Sequence, residues 1–290
     1  DSRRNADRAG GGPTTEKPWH VDVGWEGHRL VRQSDLEGAA ADKFLNYYSA
    51  QVDVDITKKD RVYAIGGVYQ RFIADPGETG LRADDTELKY RHLFDLTDTM
   101  QLSPSASVYL PTSFISWRES LIMAPRLQVR LDKQFGEYVN ANARINGTYY
   151  WERYNTETNG GTTANPLARI GAQAGVEVAM PFHKPLSFEV VGSTYYQWYH
   201  NATSTIPSEP GAGQAGVTPD TTFSQQPITQ AYGGEVRAHY YFPTVIKGVE
   251  TDAMLAYARD PGSTLHDGVT HLYLFYRLQS EVYASLSARF

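Results

Sequence analysis

Toward the C-terminus, alternate positions Leu272, Leu274, Tyr276, Leu278, Ser280, Val282, Ala284, Leu286, Ala288 and Phe290 form an almost wholly apolar row. His271, Tyr273, Arg277, Gln279, Glu281, Ser285, Ser287 and Arg289 stand between them. Successive side chains of a strand point to opposite faces, so a period of two puts one face against an apolar medium and the other against something polar. Globular strands usually run about 5–6 residues. A pattern sustained through residues 270–290 predicts instead a strand that crosses a hydrocarbon layer, which takes about 9–11 residues, and stands clear of it at an end.

The same test along the chain picks out a first strand starting at Trp19, with Val21, Val23 and Trp25 on one face and His20, Asp22, Gly24 and Glu26 on the other. Further strands are expected at 43–57, 61–73, 86–96, 99–111, 118–132, 138–153, 167–180, 186–200, 229–242, 248–259 and 270–290. The fold class is therefore all-β, an antiparallel transmembrane β-barrel of about twelve strands within a range of ten to fourteen. An even number returns both ends of the chain to one side. The connections alternate in length, with short ones at 58–60, 97–98, 133–137, 182–185 and 243–247. Longer ones fall at 31–42, 74–85, 112–117, 154–166, 201–228 and 260–269, as expected for periplasmic turns and external loops. A hairpin within 265–290 would spoil the parity, but the alternation there is unbroken. Pro104 and Pro125 lie inside expected strands, where each lacks a ladder donor.

Composition agrees. Hydrophobic residues make up 41% of the chain, yet the mean hydropathy is -0.47, so an apolar spanning helix is not expected. A barrel tolerates that polarity because every second residue faces inward. Aromatics at 12%, including 20 Tyr and 5 Trp, suit the girdles at both membrane interfaces. The absence of Cys removes disulfides and thiolate metal sites. A net charge of -6 gives no general attraction to nucleic acid. Two units are expected: residues 1–17, polar with a Gly run, as a flexible periplasmic tail, and residues 18–290 as the barrel. The chain opens without a signal peptide, so the mature form of an exported protein is expected.

Phe290 resembles the terminal aromatic of bacterial outer-membrane barrels, which the barrel insertion machinery reads as a signal. The resemblance implies a location in the outer membrane of a Gram-negative bacterium, among outer-membrane lipid and lipopolysaccharide, and a monomer is expected.

Strand phase sorts the charges. Arg61, Arg71, Lys89, Arg91, Arg118, Arg126, Arg130, Arg144 and Arg169 fall on inward positions of strands three to eight, a basic wall. Asp22, Glu26, Asp53 and Asp55 on strands one and two, with Glu189, Glu235, Glu250 and Asp252 on strands nine to eleven, form an acidic wall opposite. Opposed walls across a wet lumen make a transverse field that orients dipolar solutes, an arrangement similar to the constriction of general porins. The competing expectation is pairing across the interior, with Glu87, Asp95, Asp132 and Glu177 neutralising the basic side and the barrel plugged.

The expected function is an outer-membrane porin or channel for passive diffusion of small hydrophilic solutes. The arginine-rich wall suggests a preference for anions or acidic sugars, as in the twelve-stranded porins for oligogalacturonate or sialic acid that the chain resembles, and the acidic wall tempers it. The alternative is a non-conducting barrel with a receptor, adhesion or assembly role. A membrane-embedded hydrolase is disfavoured. Outer-membrane phospholipase A is similar in strand number, but its His-x-Ser pattern does not occur here. The omptin proteases share the length, yet only Asp84–Asp85 and His266–Asp267 resemble their outer-mouth carboxylates and imidazole. Inward His20, His28, His239 and His271, and Asp53 with Asp55, are the candidate metal ligands. Neither set supplies a convergent site, so no catalytic residue, metal or cofactor is expected.

Overall fold

A computed structural model describes residues 18–30, 44–71, 80–154, 165–183, 185–200, 228–243, 248–259 and 280–290. The strands are β1 (Trp19–Leu30), β2 (Phe44–Asp55), β3 (Asp60–Arg71), β4 (Gly80–Ala83), β5 (Thr86–His92), β6 (Phe94–Thr97), β7 (Met100–Leu110) and β8 (Leu121–Phe135). After them come β9 (Val139–Tyr149), β10 (Trp151–Glu152), β11 (Pro166–Ala179), β12 (Leu186–Tyr199), β13 (Ile228–Tyr241), β14 (Glu250–Arg259) and β15 (Ser280–Arg289). Each pairs antiparallel with its neighbours, and β15 pairs with β1, so the sheet closes on itself. With β4, β6 and β10 counted as extensions of adjoining staves, this is a closed twelve-strand barrel. The seam runs from Asp22 opposite Arg289 to Leu30 opposite Glu281. It is finished by the Phe290 N–H donating to the Val21 carbonyl at 2.9 Å and the Val21 N–H to the Phe290 carbonyl at 3.2 Å.

Closure and even parity follow the sequence pattern because every strand has one apolar face. Leu127, Val129, Ile145, Ile170, Val190 and Leu255 stand exposed on the outer wall, Leu127 at 70%. Their sequence neighbours Arg126, Gln128, Arg130, Arg144, Arg169 and Glu189 turn inward, Arg130 and Glu189 being buried. Water would not tolerate so continuous an apolar belt, whereas hydrocarbon does. Pro104 and Pro125 both lie on this outer face, opposite Val129 and Val108. At the turn after β8, Gly136 adopts φ 64°, a left-handed conformation that a side chain would strain.

Three local departures from simple alternation matter for the lumen. The strand expected at 118–132 begins at Leu121, and the segment before it holds a short helix, α1 (Phe114–Arg118), capped where the Ser116 N–H donates to Ser113 Oγ at 3.1 Å. Trp151 opposes Met123 while Glu152 opposes Leu121, so Ile122 is the extra residue of a bulge. The slip turns Leu121 inward, whereas uninterrupted alternation would send it outward. The strand expected at 86–96 is divided at Leu93, where β5 ends and β6 begins, although the Leu93 N–H still donates to the Lys59 carbonyl at 2.9 Å. Residues 1–17, 31–42, 201–227 and 260–279 lie outside the described residues, so the expected tail, three of the loops and the start of the last strand do as well.

Leu127→Arg is expected to lower barrel stability by about 2–4 kcal/mol, the cost of an Arg facing lipid near the midplane. Urea unfolding in lipid vesicles measures it, and an unchanged midpoint would contradict a lipid-facing position.

Candidate functional site

Side chains from the short-turn half of the strands fill the lumen. Asp53 is wholly buried, with Arg61 Nη1 at 3.2 Å, His20 Nδ1 at 3.3 Å and Arg289 Nη2 at 3.6 Å from its Oδ2. Gln51 ties it to Asp22, donating at 3.2 Å and 3.0 Å to the two carboxylates. Arg61 also donates to Asp55, through Nη2 at 3.1 Å. Across the lumen, Arg237 donates to Glu189 at 2.9 Å and pairs with Glu235, which also accepts from Tyr283 at 3.0 Å. His239, also wholly buried, places Nε2 3.4 Å from Glu189. Arg130 is clamped on Asp132 by bonds of 2.7 to 2.9 Å, and Glu177 accepts from Ser187 and Tyr241. Charges buried this deeply persist because each meets an opposite charge or donors.

The long-loop half is hollow. A cavity of about 560 Å³ is lined on one side by Arg126, Arg144 and Arg169, and elsewhere by Tyr109, Tyr150, Gln173, Ser193, Tyr195, Glu235 and Arg237. Two of these arginines are braced by neighbouring side chains. Arg126 donates to Tyr109 at 2.7 Å and to Gln128 at 3.2 Å, and the Arg169 guanidinium lies 3.7 Å from the Tyr195 ring centroid. Stacking on an aromatic face holds a guanidinium in place while leaving its edge available to an anion. Ile115 and Ser116 of α1, with Leu121, bound the cavity toward the loops. The helix is held there by Asp85, which accepts from the Ser113 N–H and from Ser116 Oγ.

The residues singled out in the sequence thus divide by depth. Arg126, Arg144 and Arg169 come together around the cavity, while Arg61 and Arg130 belong to the packed half. Lys89 and Arg91 lie over the Tyr63 ring at 5.7 Å and 5.5 Å. Arg118 ends α1 rather than starting a strand, and the Arg71 side chain lies outside the described residues. Among the acids, Asp22, Asp53, Asp55 and Glu189 are in the packed clusters. Glu235 reaches the cavity, Asp252 accepts from Ser287, and Glu250 is exposed at the short-turn end. Glu26 sits with Glu281 on either side of His28, each 3.3 Å from a ring nitrogen. Arg237 and Arg289 stand among the acids, so the two walls are less separate than expected. Both share the inward phase of Glu235 and Glu281, so the alternation already places them in the lumen. Asp84 accepts from Tyr47 at 3.0 Å, so with Asp85 it has a structural job, and His266, Asp267 and His271 lie outside the described residues. His20, His28 and His239 do not converge; each has its own carboxylate.

A closed barrel with an apolar outer wall and a charged, partly hollow interior has the architecture of an outer-membrane β-barrel. The fold is shared with the crystal structure of an outer membrane channel from Pseudomonas putida F1, with a TM-score of 0.58 at 12% identity over 96% of this chain and 97% of that one. The KdgM porin in complex with disordered oligogalacturonate aligns at a TM-score of 0.46 and 6% identity, over 93% of this chain and 98% of that one. No family model and no curated protein matches the sequence.

Asp53→Ala leaves Arg61, Arg289 and His20 facing one another without their shared carboxylate and is expected to cost about 3–5 kcal/mol. Lys59→Ala removes only the exposed 3.5 Å pair with Asp95 and should cost less than about 1 kcal/mol. Urea midpoints of the two variants in vesicles check the contrast.

Proposed function

We propose that the chain forms a monomeric outer-membrane channel for passive diffusion of small hydrophilic solutes, with a preference for anionic ones. The observation that carries this reading is the cavity at the long-loop end, where Arg126, Arg144 and Arg169 converge within a polar, tyrosine-lined space. A solute entering from the loop side passes α1 and then reaches these guanidiniums. Its carboxylate or phosphate exchanges water for preorganised donors, at a field strengthened by the surrounding low-dielectric wall. The clusters about Asp53 and Glu189 then form the narrow part of the path. Their charges are already compensated, so this part selects by size and by the cost of parting ion pairs more than by sign.

A second reading is a non-conducting barrel whose loop end binds a partner. The packing of the short-turn half favours it, since Asp53 and His239 are wholly buried and leave little room for a continuous water column at their level.

Reconstitution into planar bilayers separates the two. The channel reading expects stable current and, in a salt gradient, a reversal potential on the anion-selective side. Arg126→Glu combined with Arg144→Glu should move that potential toward cation selectivity, and by more than Arg130→Glu, since Arg130 is engaged with Asp132. Folded protein that passes no current would leave the second reading. A reversal potential indifferent to the double substitution would remove the arginines from selection.

A further inference from the structure

Within the cavity, ladder register sets the arginines at two levels. Arg126 on β8 and Arg169 on β11 both stand opposite Thr148 of β9. Their backbones are therefore two strand spacings apart, about 9.5 Å. Arg144 lies four residues deeper on β9, about 13 Å along the strand toward the short turns. Opposite it are Arg130 on β8 and Gln173 on β11. Between the two levels the wall is low and polar, with Asn146 opposite Gly171 and Gly171 in turn opposite Tyr195. A Cβ at Gly171 would come within 3.3 Å of the Asn146 amide, so a side chain there would crowd the floor that separates the levels.

The contacts that hold the outer pair are uncharged. Arg126 donates to Tyr109 and Gln128, and Arg169 stacks on Tyr195 and bonds Tyr150. Arg126 Nε is buried with no acceptor among the described residues. At the inner level Arg130 is engaged with Asp132, while Arg144 stands directly across the ladder from that like charge, a placement that costs a sheet stability. The carboxylates that line the same cavity sit elsewhere. Asp84, Asp85 and Glu119 belong to the segments around α1, at the loop end, and Glu235 is paired with Arg237. Positive charge thus gathers at two depths on one stretch of wall, joined by Thr148, Asn146 and Gln173, which offer hydrogen bonds along the way.

We propose that this stretch of wall is a saturable site for a small dicarboxylate, one carboxylate received by Arg126 and Arg169 at the outer level and the other by Arg144 at the inner level. This rests on the reading that these arginines receive anionic solutes, and adds to it the number and spacing of the anionic groups. Once one carboxylate is seated, the second reaches its level at high effective concentration, provided that the chain between them spans the gap. Length therefore selects among dianions of equal charge.

The test uses the folded full chain in detergent micelles, titrated by calorimetry at fixed ionic strength with acetate, succinate, glutarate, adipate and pimelate. The same salts are added to the protein conducting chloride in planar bilayers. Affinity is expected to pass through a maximum within the dicarboxylate series, about tenfold or more above acetate, and the tightest binder should block chloride current most. Arg169→Gln and Arg144→Gln should each flatten the series, and Gly171→Val should weaken the dicarboxylates more than acetate, with heat-modifiable electrophoretic migration showing that the variants fold. Affinity that follows charge with no maximum in length would overturn the site and leave only a diffuse positive field. A maximum that survives both arginine substitutions would overturn it as well. Chloride current without saturable dicarboxylate binding overturns the site while the channel stands. A length-dependent maximum in a protein that passes no current overturns the channel while the site stands.

Discussion

Backbone hydrogen bonding inside hydrocarbon governs everything else in this molecule. Each peptide group needs a partner within the protein, because an unsatisfied group in lipid costs several kcal/mol. A sheet meets that demand only when it has no edge. The pairing of β1 with β15 removes the last edge, and the reciprocal bonds between Val21 and Phe290 carry the ladder to the end of the chain. Once the sheet is closed, alternation assigns every residue to lipid or lumen. The charged residues of the strands then have nowhere to go but inward.

That confinement explains the interior. Ionised groups from all sides of the barrel share a narrow space, and they settle by pairing where side chains are long enough to meet. Near the short turns, Asp53 meets Arg61 from the next hairpin strand and Arg289 from β15, which only closure brings beside β1. Nearer the loops, arginines concentrate on β8, β9 and β11, and tyrosines rather than carboxylates brace two of them. The same row of inward residues yields packed ion-pair clusters at one depth and an arginine-lined hollow at another.

Much of the barrel was legible in the sequence. The outward rows through Leu127 and Ile145 and the inward rows through Arg126 and Arg144 follow from a period of two. Where backbone irregularities intervene, the pattern fails. Leu121 lies inward because the bulge at Ile122 shifts the phase, and Arg118 belongs to α1, whose Ser113 cap and Asp85 anchor outweigh the alternation before them. Arg237 and Arg289 were legible by phase. Their pairing with Glu189 and Asp53 was not, because it depends on stagger between strands.

The sequence by itself determined an all-β chain, which face most strand residues take, and the even return of the two ends, because these need only alternation and turn spacing. Tertiary structure decided depth. Whether an inward arginine is neutralised in a cluster or faces a cavity depends on register, tilt and the fold of the segment before β8.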